Sequence, residues 1–184
     1  FIVAGLLVPG SEILIKNVGL NPYRIGLLTI LKKMNANVSC ILYPVSCIQS
    51  AEPVGDIRVR FSSLKGVTVP GKVIPSLIDE IPILVLIATQ AKGMTIIKGA
   101  GELRVKESDR IKAIVTELSQ LGANIKETPG GMIVKGPTRL YGATCASHND
   151  HRMAMMLAIA GLISEGRTKI SGFEVVNKSF PSFA

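Results

Sequence analysis

The spacing of apolar positions changes several times along the chain. Ile111, Ile114, Val115, Leu118 and Leu121 recur at helical intervals with polar residues between them. That spacing predicts an amphipathic helix with one buried face. Two other stretches, DEIPILVLIATQAKG (79–93) and DHRMAMMLAIAGLISEG (150–166), are apolar nearly all round. A helix of that kind is buried on every side. Asp79 is placed to cap the first of them, and Pro82 is tolerable in its first turn. Asn149 or Asp150 is placed to cap the second. Met153, Met155 and Met156 read as core filler. The opening FIVAGLLVPG reads as the end of a buried helix closing at Gly10.

These elements repeat. LKKMNANV (31–38) resembles LSQLGANI (118–125), each ending an amphipathic helix and entering a strand. Upstream, GSEILIKNVG (10–19) resembles GMTIIKGAG (93–101), a β-rich run after a glycine able to close a helix. A third copy, GRTKISGF (166–173), breaks off after its first strand. The unit is therefore apolar helix, Gly, strand, amphipathic helix, strand, strand. It divides residues 1–184 into units at roughly 1–78, 79–149 and 150–184, the last incomplete. This order predicts an α/β fold, one globular domain of repeated βαβαββ units with buried parallel helices. Equivalent helices then point their N-termini to one side. SCIQSAEPVGD (46–56) and TPGG (128–131) read as turns or loops.

Composition narrows the function. The 184 residues are 47% apolar and carry a net charge of +8, which points to an anionic partner. Aromatic residues make up only 4%, with no Trp, so stacking platforms for single-stranded nucleic acid are scarce. Small anions are favoured over nucleic acid. Cys40, Cys47 and Cys145 fit no zinc spacing and read as reduced thiols in a cytoplasmic protein. No apolar run approaches the roughly 20 residues needed to span a bilayer. The first residue is Phe, and with the interrupted third repeat this suggests a chain shortened at both ends.

Ionisable residues gather where helices should begin. Asp79 stands at one start. RVKESDRIKA (104–113) brings Arg104, Lys106, Glu107, Asp109 and Arg110 to a second, and Asp150, His151 and Arg152 stand at a third. Helix N-termini attract anions through free N–H groups and the positive end of the dipole. Glu107 and Arg110 are three apart and would share a helical face bordering the core. Arg152, on the threshold of a buried helix, needs an anion to meet it.

LRVKESDRI followed by NDHRMAM, with LIDEIP, NPYRIG and NKSFPSF in order, strongly resembles the 5-enolpyruvylshikimate-3-phosphate synthase (3-phosphoshikimate 1-carboxyvinyltransferase) family. The resemblance covers essentially the whole chain. It implies two similar domains of three βαβαββ units each, with the active site in the cleft between them; this chain corresponds to most of the C-terminal one. It implies transfer of the enolpyruvyl group of phosphoenolpyruvate to the 5-hydroxyl of shikimate 3-phosphate, through a tetrahedral intermediate, with no cofactor and no metal. On this resemblance Asp79 contacts the 5-hydroxyl and Glu107 handles the methylene proton. Lys106 contacts the shikimate phosphate side, Arg110 and Arg152 clamp phosphoenolpyruvate, and Lys178 lies near its phosphate. His151 sits beside them as an orienting hydrogen-bonder. The expected partners are the two substrates and an N-terminal domain of the same enzyme, and the fragment alone is expected to be inactive. Tyr23 and Ile25 depart from the small hydroxyl residues common in the family, and Arg24 receives no role. The alternatives are a UDP-sugar enolpyruvyl transferase and a nucleic-acid-end-binding domain of related fold.

Overall fold

A computed structural model describes residues 1–43 and 52–183. Cys47 and most of the loop expected over 46–56 lie outside the described residues. In chain order the elements are α1 (Ile2–Leu7), β1 (Glu12–Gly19), α2 (Gly26–Lys33), β2 (Asn37–Leu42), β3 (Val54–Arg60), β4 (Thr68–Val69), α3 (Ile81–Gln90), β5 (Gly93–Ile97), α4 (Arg110–Gln120), β6 (Asn124–Thr128), β7 (Gly131–Gly136), β8 (Thr144–Ala146), α5 (His151–Ile163) and β9 (Lys169–Ser171). The succession helix, strand, helix, strand, strand occurs twice, in α1–β3 and in α3–β7, and begins again at α5 and β9. This is the α/β repeat that the periodicity predicts.

Three sheets result, ordered β1-β3-β2, β4-β5-β7-β6 and β8-β9. β3 pairs antiparallel with both β1 and β2, so that Arg60 faces Glu12 on one side and Asn37 on the other. β4 pairs parallel with β5, and β8 pairs parallel with β9. A parallel pair needs a crossover, and α3 and α5 supply it. The short strands β4 and β8 thus belong to the sheet that follows them. Strand pairing divides the chain at Thr68 and Thr144, ahead of the divisions near 78 and 149 that helix spacing suggests. A two-residue strand carries too little periodicity to be seen in sequence.

The apolar helices form the centre. All of α3 is buried except Ile83 and Gln90, which are half-buried, and α1, α3 and α5 touch one another. Their directions follow from their ends. Phe1, Pro82 and Arg152, at the starts of α1, α3 and α5, line one cavity. Leu7, Gln90 and Ile163, at their finishes, line another. The three helices therefore run parallel. Gly136 makes the fit of β7 against the end of α3 possible, since a Cβ there would lie 2.5 Å from the Ala91 carbonyl oxygen. α5 is less enclosed than its composition suggests. β9 and the turn Phe173–Lys178 cover one side only in part, and Leu162 is 62% exposed.

Candidate functional site

The helix starts meet around one guanidinium. Arg110, the first residue of α4, has a fully buried side chain. Its Nε donates to Asp150 Oδ2 at 2.7 Å, Nη1 to Asp79 Oδ1 at 3.2 Å, and Nη2 to Glu107 Oε2 at 2.5 Å. Nη2 also reaches Asp150 Oδ1 at 3.4 Å, so the fork spans three carboxylates and grips Asp150 with two nitrogens, an arrangement the planar group suits. Burial works against the charged guanidinium, but the hydrogen bond and charge of Asp150, then Glu107 and Asp79, outweigh it and hold its pKa above the usual value.

Asp150 is fully buried and is the N-cap of α5, accepting from the Arg152 amide at 2.9 Å. Burial pushes its carboxyl up. The hydrogen bond and charge of Arg110, with the Arg152 and Met153 amides, push harder the other way, so the group sits below the ordinary aspartate value. Asp79 bridges to the second arginine: Arg152 Nη2 lies 3.1 Å from Asp79 Oδ2, and Nη1 donates to the Asp79 carbonyl oxygen at 3.1 Å. Arg110 is sealed away, whereas the Arg152, Asp79 and Glu107 side chains are 30%, 37% and 47% exposed. The buried pair is a floor and the other three face outward.

Two local expectations change. Asp79 does not cap α3; it sits in the short turn Ile78–Glu80, and Glu80 occupies the cap position without a capping side-chain bond. Pro82 does stand at the start of α3. Asp79 is turned instead toward the two arginines, which offer a permanent charge where an amide offers a dipole. Glu107 and Arg110 do not share a helical face, because α4 begins at Arg110 with Asp109 as its cap, accepting from the Lys112 amide at 3.0 Å. Glu107 reaches Arg110 from the preceding loop.

Asp79, Glu107, Arg110 and Arg152 come together. Lys106, His151 and Lys178 take no part in this ion-pair cluster among the described residues. Lys106 is exposed next to Glu107, and His151 is half-buried on the first turn of α5. Lys178 is exposed at the end of the turn Phe173–Lys178. Two residues later Phe180 returns to a cavity of about 170 Å³ whose wall includes Asp79, Glu80 and Arg152. Burial, with help from Asp79, raises the Glu80 carboxyl above its usual value, against the pull of Arg152 and Arg24. No group of three or more His, Cys, Asp or Glu among the described residues is placed to hold a metal ion. No helix among them is long and apolar enough to cross a membrane.

Sequence reading missed two supports. Asp150 reads in sequence as a candidate cap and as one of the charged residues at the third helix start, and the pairing with Arg110 is visible only in the fold. Glu117 reads in sequence as one of the polar positions of α4, yet it is only 3% exposed. It accepts from the Ala146 amide at 3.0 Å, and its Oε1 lies 2.6 Å from His148 Nε2. These bonds secure the turn in which His148 and Asn149 both adopt positive φ, 54° and 57°, a costly conformation for non-glycine residues. The turn delivers Asp150 to its place. The available signal was position: Glu117 lies three after Ile114 and four before Leu121, on the apolar stripe, where an unpartnered carboxylate is not tolerated.

Comparison with known structures gives the class first. EPSP synthase from Acinetobacter baumannii superposes with a TM-score of 0.92 at 37% identity, over 99% of this chain and 42% of that one. The enolpyruvyl transferase NikO from Streptomyces tendae shares the fold, with a TM-score of 0.72 at 20% identity over 98% of this chain and 38% of that one. The fold is that of an enolpyruvyl-transferase domain. The family model for EPSP synthase (3-phosphoshikimate 1-carboxyvinyltransferase) matches residues 1–184, and the chain belongs to that family. It is 53% identical over 184 residues to the 3-phosphoshikimate 1-carboxyvinyltransferase of Petrotoga mobilis and 50% identical over 183 residues to that of Carboxydothermus hydrogenoformans. In both cases all of this chain aligns with 42% of the relative's length.

Proposed function

We propose that this chain forms one wall of the active site of a 3-phosphoshikimate 1-carboxyvinyltransferase, the other wall coming from an N-terminal domain of the same enzyme. The reaction joins the 5-hydroxyl oxygen of shikimate 3-phosphate to C2 of phosphoenolpyruvate while C3 takes a proton. The tetrahedral intermediate then returns a C3 proton, breaks the bond to phosphate and leaves the enolpyruvyl ether. No electrons are exchanged with a cofactor.

The observation that carries this reading is the cluster at the starts of α3, α4 and α5, with its outward acids and arginine. Both substrates are multiply anionic. Arg152 is positioned to receive a carboxylate or phosphate by giving up its bond to Asp79, and Arg110 can turn an edge toward the same anion when Glu107 or Asp79 moves aside. Asp150 keeps Arg110 in place throughout. Asp79, freed from Arg152, accepts the 5-hydroxyl and helps to deprotonate it. Glu107 moves the methylene proton, a task for a carboxylate within hydrogen-bond reach. Lys106 and Lys178 add positive charge toward the phosphate groups, and His151 orients a substrate oxygen. Fixed cations stabilise charge as it shifts onto the leaving phosphate.

The test is phosphate release from shikimate 3-phosphate and phosphoenolpyruvate, with this chain alone, with a separately made N-terminal domain, and with both. Release only from the mixture supports the proposal. No release from a folded mixture, beside an active control enzyme, overturns it.

A further inference from the structure

Arg104 is the one arginine of the LRVKESDRI segment without a task in the chemistry above. It lies in the turn Gly101–Val105, and its guanidinium bonds the β6–β7 hairpin and Asp109 rather than the acids around Arg110. Nε donates to the Pro129 carbonyl oxygen at 3.2 Å. Nη2 donates to the Thr128 carbonyl oxygen at 3.0 Å and to Glu127 Oε1 at 2.7 Å. Nη1 donates to Asp109 Oδ2 at 3.0 Å. Asp109 is the cap of α4, so one side chain ties together the hairpin, the turn before the loop and the helix after it.

Between Arg104 and Asp109 lie four residues, two of which are Lys106 and Glu107. The loop has little else to hold it. Val105 is 83% exposed and Lys106 is exposed. The inward contacts are Glu107 with Arg110 and, at 3.5 Å, Ser108 Oγ with Asp150 Oδ2. Arg104 closes the base of the loop from outside while Arg110 holds its tip from inside. Once a substrate anion competes for Arg110, the tip contact is lost and the base must keep Glu107 in register with the reacting carbon.

We infer that Arg104 is a positioning residue for the reaction: it fixes the loop that presents Lys106 and Glu107 and touches no substrate itself. The inference rests on the proposed function. A lysine cannot replace it, because one ammonium cannot span two carboxylates and two carbonyls set in different directions.

The experiment compares Arg104→Lys, Arg104→Ala, Glu107→Gln and the Arg104→Ala/Glu107→Gln pair in the complete enzyme, well below each variant's melting temperature. Arg104→Lys should lower kcat by about 10- to 100-fold, the effect of misplacing a catalytic group by roughly an ångström, with KM for either substrate changed far less. Glu107→Gln should cost much less in the Arg104→Ala background than in wild type. Wild-type kcat in Arg104→Lys, or an equal cost of Glu107→Gln in both backgrounds, would overturn the inference. Amide hydrogen exchange of Lys112 and Ala113, whose N–H groups donate to the Asp109 carboxylate and carbonyl at the end of the loop, supplies a readout independent of turnover. It should rise by about tenfold or more in Arg104→Lys, and unchanged exchange would also overturn the inference. A wild-type enzyme without turnover instead defeats the functional reading, and the exchange result then decides the positioning claim alone.

Discussion

Arg110 and Asp150 meet at 2.7 Å with neither side chain reaching solvent. One opens α4 and the other caps α5, so a buried ion pair fastens two helix starts together. Removing one member of such a pair strands the other. Arg110→Met should destabilise the fold by about 3–5 kcal/mol, read as a lower urea midpoint. Arg110→Met/Asp150→Asn should recover part of that loss. A double variant as unstable as the sum of its parts would show that the two residues act separately.

Asp150 also predicts a pH response. Its folded carboxyl sits below the ordinary value because Arg110 and two amides outweigh burial. The unfolded chain therefore takes up the proton first as pH falls. The stabilisation is complete above the ordinary aspartate pKa of about 4 and is lost as pH drops through the folded value. The stability gap between wild type and Asp150→Asn should be widest near neutrality and shrink below about pH 4. Parallel curves down to acid pH would assign the stabilisation elsewhere.

Glu107 is bound to the protein through a single arginine contact and is nearly half exposed. Glu107→Gln keeps the shape and should leave the melting temperature close to wild type. Turnover in the complete enzyme should fall by about 10²- to 10⁴-fold, as expected for loss of a general acid–base group. Near-normal kcat would remove Glu107 from proton transfer.

Cys145 is 2% exposed, and its thiol is pushed up to about 11 by burial, with the Glu117 carboxylate adding to the effect. Thiolate is the reactive form. In the folded chain at pH 8, iodoacetamide should leave Cys145 unmodified while labelling the half-buried Cys40. Peptide mass mapping would decide it, and rapid labelling of Cys145 would show that β8 opens.

Much of the fold was legible because periodicity reports burial directly. Ile111, Ile114 and Leu118 mark the inner face of α4, and the near-continuous apolar run of α3 marks a helix with no outer face. β4 and β8 were not legible, since strands of two or three residues are defined by partners far along the chain. At the site, the convergence of Asp79, Glu107, Arg110 and Arg152 followed from where helices begin. Which acid meets which base did not, because it depends on how α3, α4 and α5 sit in space. Asp79 could have served as a cap, and only the nearness of two guanidinium groups decides otherwise.

The early placement of β4 and β8 bears on how the molecule comes apart. The second and third sheets each take their first strand from a segment that directly follows the preceding repeat, so neighbouring repeats are stitched rather than stacked. Cutting the chain at 78 or 149 would strand an edge segment on the wrong piece. Slow-exchanging amides should therefore group by sheet membership, with Thr68–Val69 protected alongside Gly93–Ile97 and Thr144–Ala146 alongside Lys169–Ser171. The cooperative unit of opening is offset from the unit of repetition: Asp79, Asp150 and Arg152 lie at the joins between successive units, while Glu107 and Arg110 reach them from within the second.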